Sequence, residues 1–169
     1  IICDSQGIIH KERKNLPTYK KRLAKITNKH NIHGTLQRAL KGADVFIGVS
    51  KGNLLEKEMI QKMREKPIIF ALANPTPEIT PEKAKEAGAA IIATGRSDYP
   101  NQVNNVLAFP GIFRAALDTG ATRITEEMKL VAAYALAKAV KKPKKDKILP
   151  PVFDKRVVKH IVKAIANIK

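Results

Sequence analysis

With Cys3 as its single cysteine, the 169-residue chain cannot form an internal disulfide, and a reducing, cytoplasmic setting is expected. Tryptophan is absent, and only five Phe and three Tyr are available as stacking platforms, which argues against a single-strand nucleic-acid binder. Long apolar runs are missing too: the longest, Leu130 to Ala137, falls far short of the roughly 18 residues a membrane helix needs. No membrane partner is expected. There is no charged n-region followed by an apolar h-region, and the chain opens on Ile1, not Met, inside a strand-like run. It is therefore expected to be a fragment.

Acidic residues are scarce relative to basic ones: 15 Asp and Glu against 32 Lys and Arg give a net charge of +17. Such a surplus raises a nucleic-acid reading, but its distribution argues against one. The stretch Pro67 to Thr125 is neutral. The surplus lies in His10 to His30, where Glu12 is the only acid, and in the lysines between Lys138 and Lys147. Both read as solvated surface of the kind common in heat-adapted proteins. A basic nucleic-acid-binding module stays as the last-placed alternative.

What is present is a β-helix-β rhythm. Periodicity and caps predict a helix over 35–41 leading into a strand over 44–49, a helix over 54–65 into a strand over 68–73, and a helix over 81–87 into a strand over 89–93. Thr35 and Thr80 stand at N-cap positions, Pro81 in a first turn, and Gly42 and Gly88 at helix stops. This alternation implies parallel pairing with right-handed crossovers, a partial Rossmann-type α/β sheet with flanking helices. A strand is also expected over Ile1 to Asp4 and a short helix around Tyr19 to Ile26. From 104 to 169 the pattern turns helical. A helix opens at Asn104, is interrupted by Phe109-Pro110-Gly111 and resumes at Ile112. A second follows the Thr125 cap, and a last one runs through Val157 and Ile165.

Uncharged polar clusters follow the central strands. Ser50 with Gly52 closes one, Asn74-Pro75 the next, and the segment from Thr94 to Asn105 the last, with Arg96, Asp98, Asn101, Gln102, Asn104 and Asn105. In parallel α/β sheets the strand C-termini deliver ligand-binding groups into one crevice. Amides donate and accept at once, so they suit a ligand carrying hydroxyl and carboxylate oxygens. Ser50-Lys51-Gly52 is equally an ordinary turn. Asp4, ending the first apolar run, is placed to accept from the ribose hydroxyls of a dinucleotide, or simply to start the turn Ser5-Gln6-Gly7.

The segments FALANPTPEI and ATGRSDYPNQVNNVLAFPGIFRAALD, together with CDSQGII, ADVFIGVS, TEEMKLVAAYALA and ILPPVFDKRVV, resemble the distal part of the NAD(P)-binding domain of malic enzymes of the compact bacterial and archaeal type. The likeness covers nearly the whole chain. It implies residues 1–169 as the distal part of a dinucleotide-binding domain, and an enzyme that converts malate to pyruvate and CO2 with hydride transfer to NAD or NADP. It also implies a divalent metal, Mg or Mn, and a usual homo-oligomer. Residue by residue, it makes Asp4, Ser50 and Asn74 cofactor-binding, and Asn74, Asn104 and Asn105 substrate-binding. The family's catalytic tyrosine and lysine, its acidic metal ligands and its glycine-rich turn have no counterpart here. They are expected upstream, in a missing N-terminal part, so this chain alone is expected to be inactive. Asp4 favours NAD because a carboxylate repels a 2′-phosphate, while the bases from Lys11 to Arg22 keep NADP open. Another 2-hydroxy-acid dehydrogenase-like or regulatory nucleotide-binding domain is the main alternative.

Overall fold

The computed structural model describes residues 1–168. At its centre three parallel strands, β3 (Val45–Gly48), β4 (Ile68–Ala71) and β5 (Ile91–Thr94), pair in sequence order. Their register is even: Val45 lies beside Ile68 and Ile68 beside Ile91, while Gly48, Ala71 and Thr94 end the strands side by side. The helices between them, α3 (Lys57–Gln61) and α4 (Pro81–Glu86), together with α2 (Leu36–Leu40), cover one face of the sheet. Alternation decides which face. Phe46, Ile69 and Ala71 point into a core with Leu40, Leu55, Ile60, Met63, Ile79 and Ala84. On the opposite face Val45, Ile47 and Val49 remain 44, 61 and 78% exposed.

The predicted β-helix-β units are therefore present, with trimmed helices. Nothing of the expected helix before Glu56 is helical, because the backbone there is pinned elsewhere. Asn53 N–H donates to Pro77 O at 3.0 Å and Leu55 N–H to Glu78 O at 2.9 Å. The Thr80 hydroxyl caps α4 by accepting from Lys83 N–H, as expected, whereas Thr35 precedes α2 without a side-chain cap bond.

The strand expected over Ile1 to Asp4 is present in part. Residues Cys3–Asp4 (β1) do form a strand, but it pairs antiparallel with Gly7–Ile8 (β2) and is not hydrogen-bonded to the parallel sheet. Gly7 adopts φ +105° and folds the chain back, so that it lies beside Asp4. Together with α1 (Thr18–Ile26) the hairpin forms a small core of Ile9, Leu16 and Ala24 against Ile2.

The C-terminal part is a helical layer with its own core. After a 3₁₀ turn (Asn105–Leu107) come α5 (Phe109–Asp118), α6 (Glu126–Lys138) and α7 (Lys155–Ala166). Ala115, Ala132, Val157, Ile161 and Ile165 interlock there. Contrary to expectation, Phe109-Pro110-Gly111 does not interrupt a helix but starts α5. Proline sits in the first turn, where its missing N–H costs nothing. Gly111 is needed for contact, since a Cβ on it would lie 2.8 Å from Ile161 Cβ. Among the described residues no helix is long and apolar enough to cross a membrane.

Candidate functional site

Because the strands are parallel and in register, the chain leaves all of them along one edge. Ser50 lies just past the end of β3 and Asn74 just past that of β4. The return to the end of β5 is made by a parallel bridge between Thr94 and Gln102 and by Val103 N–H donating to Thr94 O at 2.8 Å, which brings Asn104 and Asn105 to the same edge. All four predicted residues of the sheet thus lie on its C-terminal side, where open α/β sheets bind ligands.

The side chains differ in how free they are. Asn74 and Asn105 are exposed and make no side-chain hydrogen bond among the described residues. Asn104 is half-committed: its Oδ1 accepts from Val106 N–H at 3.0 Å and caps the 3₁₀ turn, leaving its amide N–H groups to face outward. Ser50 is exposed, yet its backbone N–H donates to Glu78 Oε1 at 3.0 Å, so only its hydroxyl is open to a ligand.

Glu78 organises this edge and was missed in the sequence. It is wholly buried, and its second oxygen accepts from Ala73 N–H at 3.0 Å, so one carboxylate ties the end of β3 to the end of β4 immediately before Asn74. Its signal was Gly48, a glycine inside an apolar strand, which marks close approach of another group. A Cβ on Gly48 would meet Glu78 Cδ at 2.4 Å.

Other members of the Thr94 to Asn105 cluster turn out to be structural. Asn101 points inward, donating to Ile92 O at 2.9 Å and Lys145 O at 2.8 Å and accepting from Ile148 N–H at 2.9 Å. It fastens the lysine-rich loop to β5. Arg96 and Asp98 form a two-pronged pair at 2.8 and 2.6 Å, and that pairing with Arg96 holds the Asp98 carboxyl below its ordinary value. The Arg96 NH1 group makes no hydrogen bond among the described residues and stays open to a ligand carboxylate. Beside this segment a basic cleft of about 670 Å³, lined by Tyr99, Lys142, Lys144 and Lys147, includes none of Asn74, Asn104 and Asn105.

Asp4 ends β1, on the hairpin and outside the three-stranded sheet. Lys20 Nζ lies 2.5 Å from its Oδ2, Arg13 NH2 2.8 Å from Oδ1, and Gln6 N–H donates to it at 3.0 Å. Burial alone would raise its pKa, but the Lys20, Gln6 and Arg13 hydrogen bonds outweigh that and hold it at about 2. The sequence did not reveal that two of the nearby bases would pair with this carboxylate. The strand-edge amides fit a carboxamide or hydroxyl ligand. No cluster of carboxylates accompanies them among the described residues, so the edge does not suit a hard divalent cation, which takes oxygen ligands.

Comparisons with known proteins agree with the geometry. The family model for the malic enzyme NAD binding domain matches residues 1–168. The bifunctional malic/malolactic enzyme of Bacillus subtilis is 53% identical over 99% of this chain and 42% of that protein. The NADP-dependent malic enzyme of Halomonas elongata is 43% identical over 99% of the chain and 43% of that protein. The crystal structure of NAD-dependent malic enzyme from Thermotoga maritima superposes with a TM-score of 0.89 at 49% identity, over 95% of this chain and 43% of that one. The chain thus spans less than half the length of the relatives it matches. By sequence and by fold it belongs to the malic enzyme family, as its NAD-binding domain.

Proposed function

We propose that this chain is the distal part of the cofactor domain of an NAD(P)-dependent malic enzyme, a cytoplasmic protein that decarboxylates malate oxidatively to pyruvate and CO2. The observation that carries the reading is the single edge on which Ser50, Asn74, Asn104 and Asn105 emerge from three parallel strands in register. A nicotinamide cofactor bound here would supply a hydride acceptor for malate C2, while the chain's own residues bind and orient. Asn74 donates its amide to the carboxamide or ribose of the cofactor and to the substrate. Asn105, unencumbered, bonds a malate carboxylate, and Asn104 adds the N–H groups its capping bond leaves over. The Ser50 hydroxyl faces the passing cofactor. The acid, base and metal ligands come from the rest of the protein, as do its contacts in a homo-oligomer. The cofactor is NAD or NADP.

The test is malate-dependent reduction of NAD or NADP by the intact protein with Mg²⁺ or Mn²⁺, with pyruvate and CO2 as products. A protein that binds cofactor under those conditions and leaves malate untouched would contradict the reading. The clamp on Asp4 bears on which cofactor is used. Replacing it (Asp4→Ser) frees Arg13 and Lys20 to meet a 2′-phosphate, and the ratio of kcat/KM for NADP over NAD is expected to rise roughly tenfold, the worth of one charge-assisted hydrogen bond. An unchanged ratio would place the adenosine ribose elsewhere.

A further inference from the structure

Away from the strand edge, His10, Glu12 and His33 bring one donor atom each to within 4.8 Å of one another. They do so because residues 8–12 and 31–34 are clipped side by side. Ile8 N–H donates to Gly34 O at 2.8 Å, and Lys11 N–H donates to Asn31 Oδ1 at 3.3 Å. The buried Asn28 bridges them, donating to Ile9 O at 3.3 Å and Ile32 O at 2.8 Å and accepting from Ile32 N–H at 2.8 Å. Asn31 Nδ2 then donates to Glu12 Oε1 at 2.8 Å, which orients the carboxylate and leaves Oε2 at 3.1 Å from His33 Nε2. His10 stacks on His33, with ring centroids 3.8 Å apart and planes 19° from parallel.

One atom in this group stands out. His10 Nδ1 is buried and has no hydrogen-bond partner among the described residues. A buried polar atom without a partner is an exception in folded proteins, and a role in holding an ion is one physical reason for it. A plain His33 to Glu12 ion pair would account for those two side chains and leave His10 Nδ1 stranded. Two imidazoles and one carboxylate are the donor set of Zn²⁺ and its d-block neighbours, whereas Mg²⁺ and Ca²⁺ take oxygen. An amide bonded to the ligating carboxylate, as Asn31 is, belongs to the same pattern.

We propose that His10, Glu12 and His33 bind a divalent d-block cation of the Zn²⁺ type, with a fourth position open to water. At bond lengths near 2.1 Å the donors around a tetrahedral ion lie about 3.4 Å apart, so the stacked rings must open on binding. His10 is the anchor. The side chains of His33 and Glu12, 47 and 67% exposed, have room to swing onto the ion. The ion would close the loop from His10 to His33, the segment that carries Arg13 and Lys20 and so the clamp on Asp4. Closing a loop of this length removes entropy from the unfolded chain, and the ion therefore stabilises the segment from His10 to His33.

The experiment is calorimetric titration of the intact protein with Zn²⁺ in the presence of saturating Mg²⁺, alongside Co²⁺ titration followed by visible absorption. Expected are binding of Zn²⁺ that excess Mg²⁺ does not displace and a Co²⁺ spectrum of the tetrahedral type. Zn²⁺ binding should weaken at least tenfold in His33→Ala, Glu12→Gln and His10→Ala, and roughly tenfold in Asn31→Ala. His33 and Glu12 are exposed, so those two variants report binding even if His10→Ala fails to fold. A Zn²⁺ isotherm and Co²⁺ spectrum unchanged in His33→Ala and Glu12→Gln, or no Zn²⁺ binding above Mg²⁺, would overturn the site.

Discussion

Glu78 ties the ends of two central strands together. Its two oxygens hold the amides of Ser50 and Ala73, and its body fills the place a side chain at position 48 would need. Replacing it (Glu78→Ala) leaves two amides without a partner and opens a void, so the unfolding free energy is expected to fall by about 3 kcal/mol in urea denaturation. A loss under about 0.5 kcal/mol would show that water substitutes for the carboxylate. Asp4 makes a different prediction, through pH. Its folded value of about 2 lies below the ordinary 3.8, so the clamp's stabilisation is fully present above about pH 4 and is lost as pH falls toward 2. Allowing for solvent screening, it is on the order of 1 kcal/mol. The stability gap between wild type and Asp4→Asn should therefore close on acidification, and a gap that persists at low pH would mean the pairing is incidental. Neither role was legible from residue type alone. Both depend on partners distant in sequence, Ser50 for Glu78 and Lys20 for Asp4.

At the scale of elements, the sequence was most informative where periodicity and caps agreed. Thr80-Pro81-Glu82 starts α4, and Thr125 starts α6 with its hydroxyl accepting from Met128 N–H at 3.1 Å. It misled where a distant contact overrode local pattern. Leu55 fits a helical stripe with Met59, Ile60 and Met63, but the bonds from Asn53 and Leu55 N–H to Pro77 and Glu78 O hold the chain before Glu56 out of the helix. Phe109-Pro110-Gly111 looks like a break because proline and glycine usually are one. Here Pro110 occupies a first turn and Gly111 admits Ile161 from α7. That contact is testable: Gly111→Ala gains helix propensity but drives a methyl into Ile161, and the net cost is expected to be about 1 to 3 kcal/mol. A stabilised Gly111→Ala variant would show that α5 and α7 can separate without cost.

For the whole molecule, the two faces of the sheet carry unequal cover. Helices α2, α3 and α4 bury one side, and Val45, Ile47 and Val49 leave an apolar strip on the other. The fold class was readable because the β-helix-β rhythm constrains topology strongly, and the candidate site because parallel strands must end along one edge. The division of labour within that edge was not readable. Asn101 and Asn105 are the same residue type four positions apart, yet one is buried in three backbone hydrogen bonds and the other faces solvent. The central claim, that the free amides at this edge hold malate, is tested most directly by kcat/KM for malate in the intact protein carrying Asn74→Ala or Asn105→Ala. A charge-assisted hydrogen bond to the substrate is worth about 1.5 to 3 kcal/mol, so a fall of roughly 10- to 100-fold is expected with the unfolding midpoint unchanged. Wild-type kcat/KM in both variants would contradict the account.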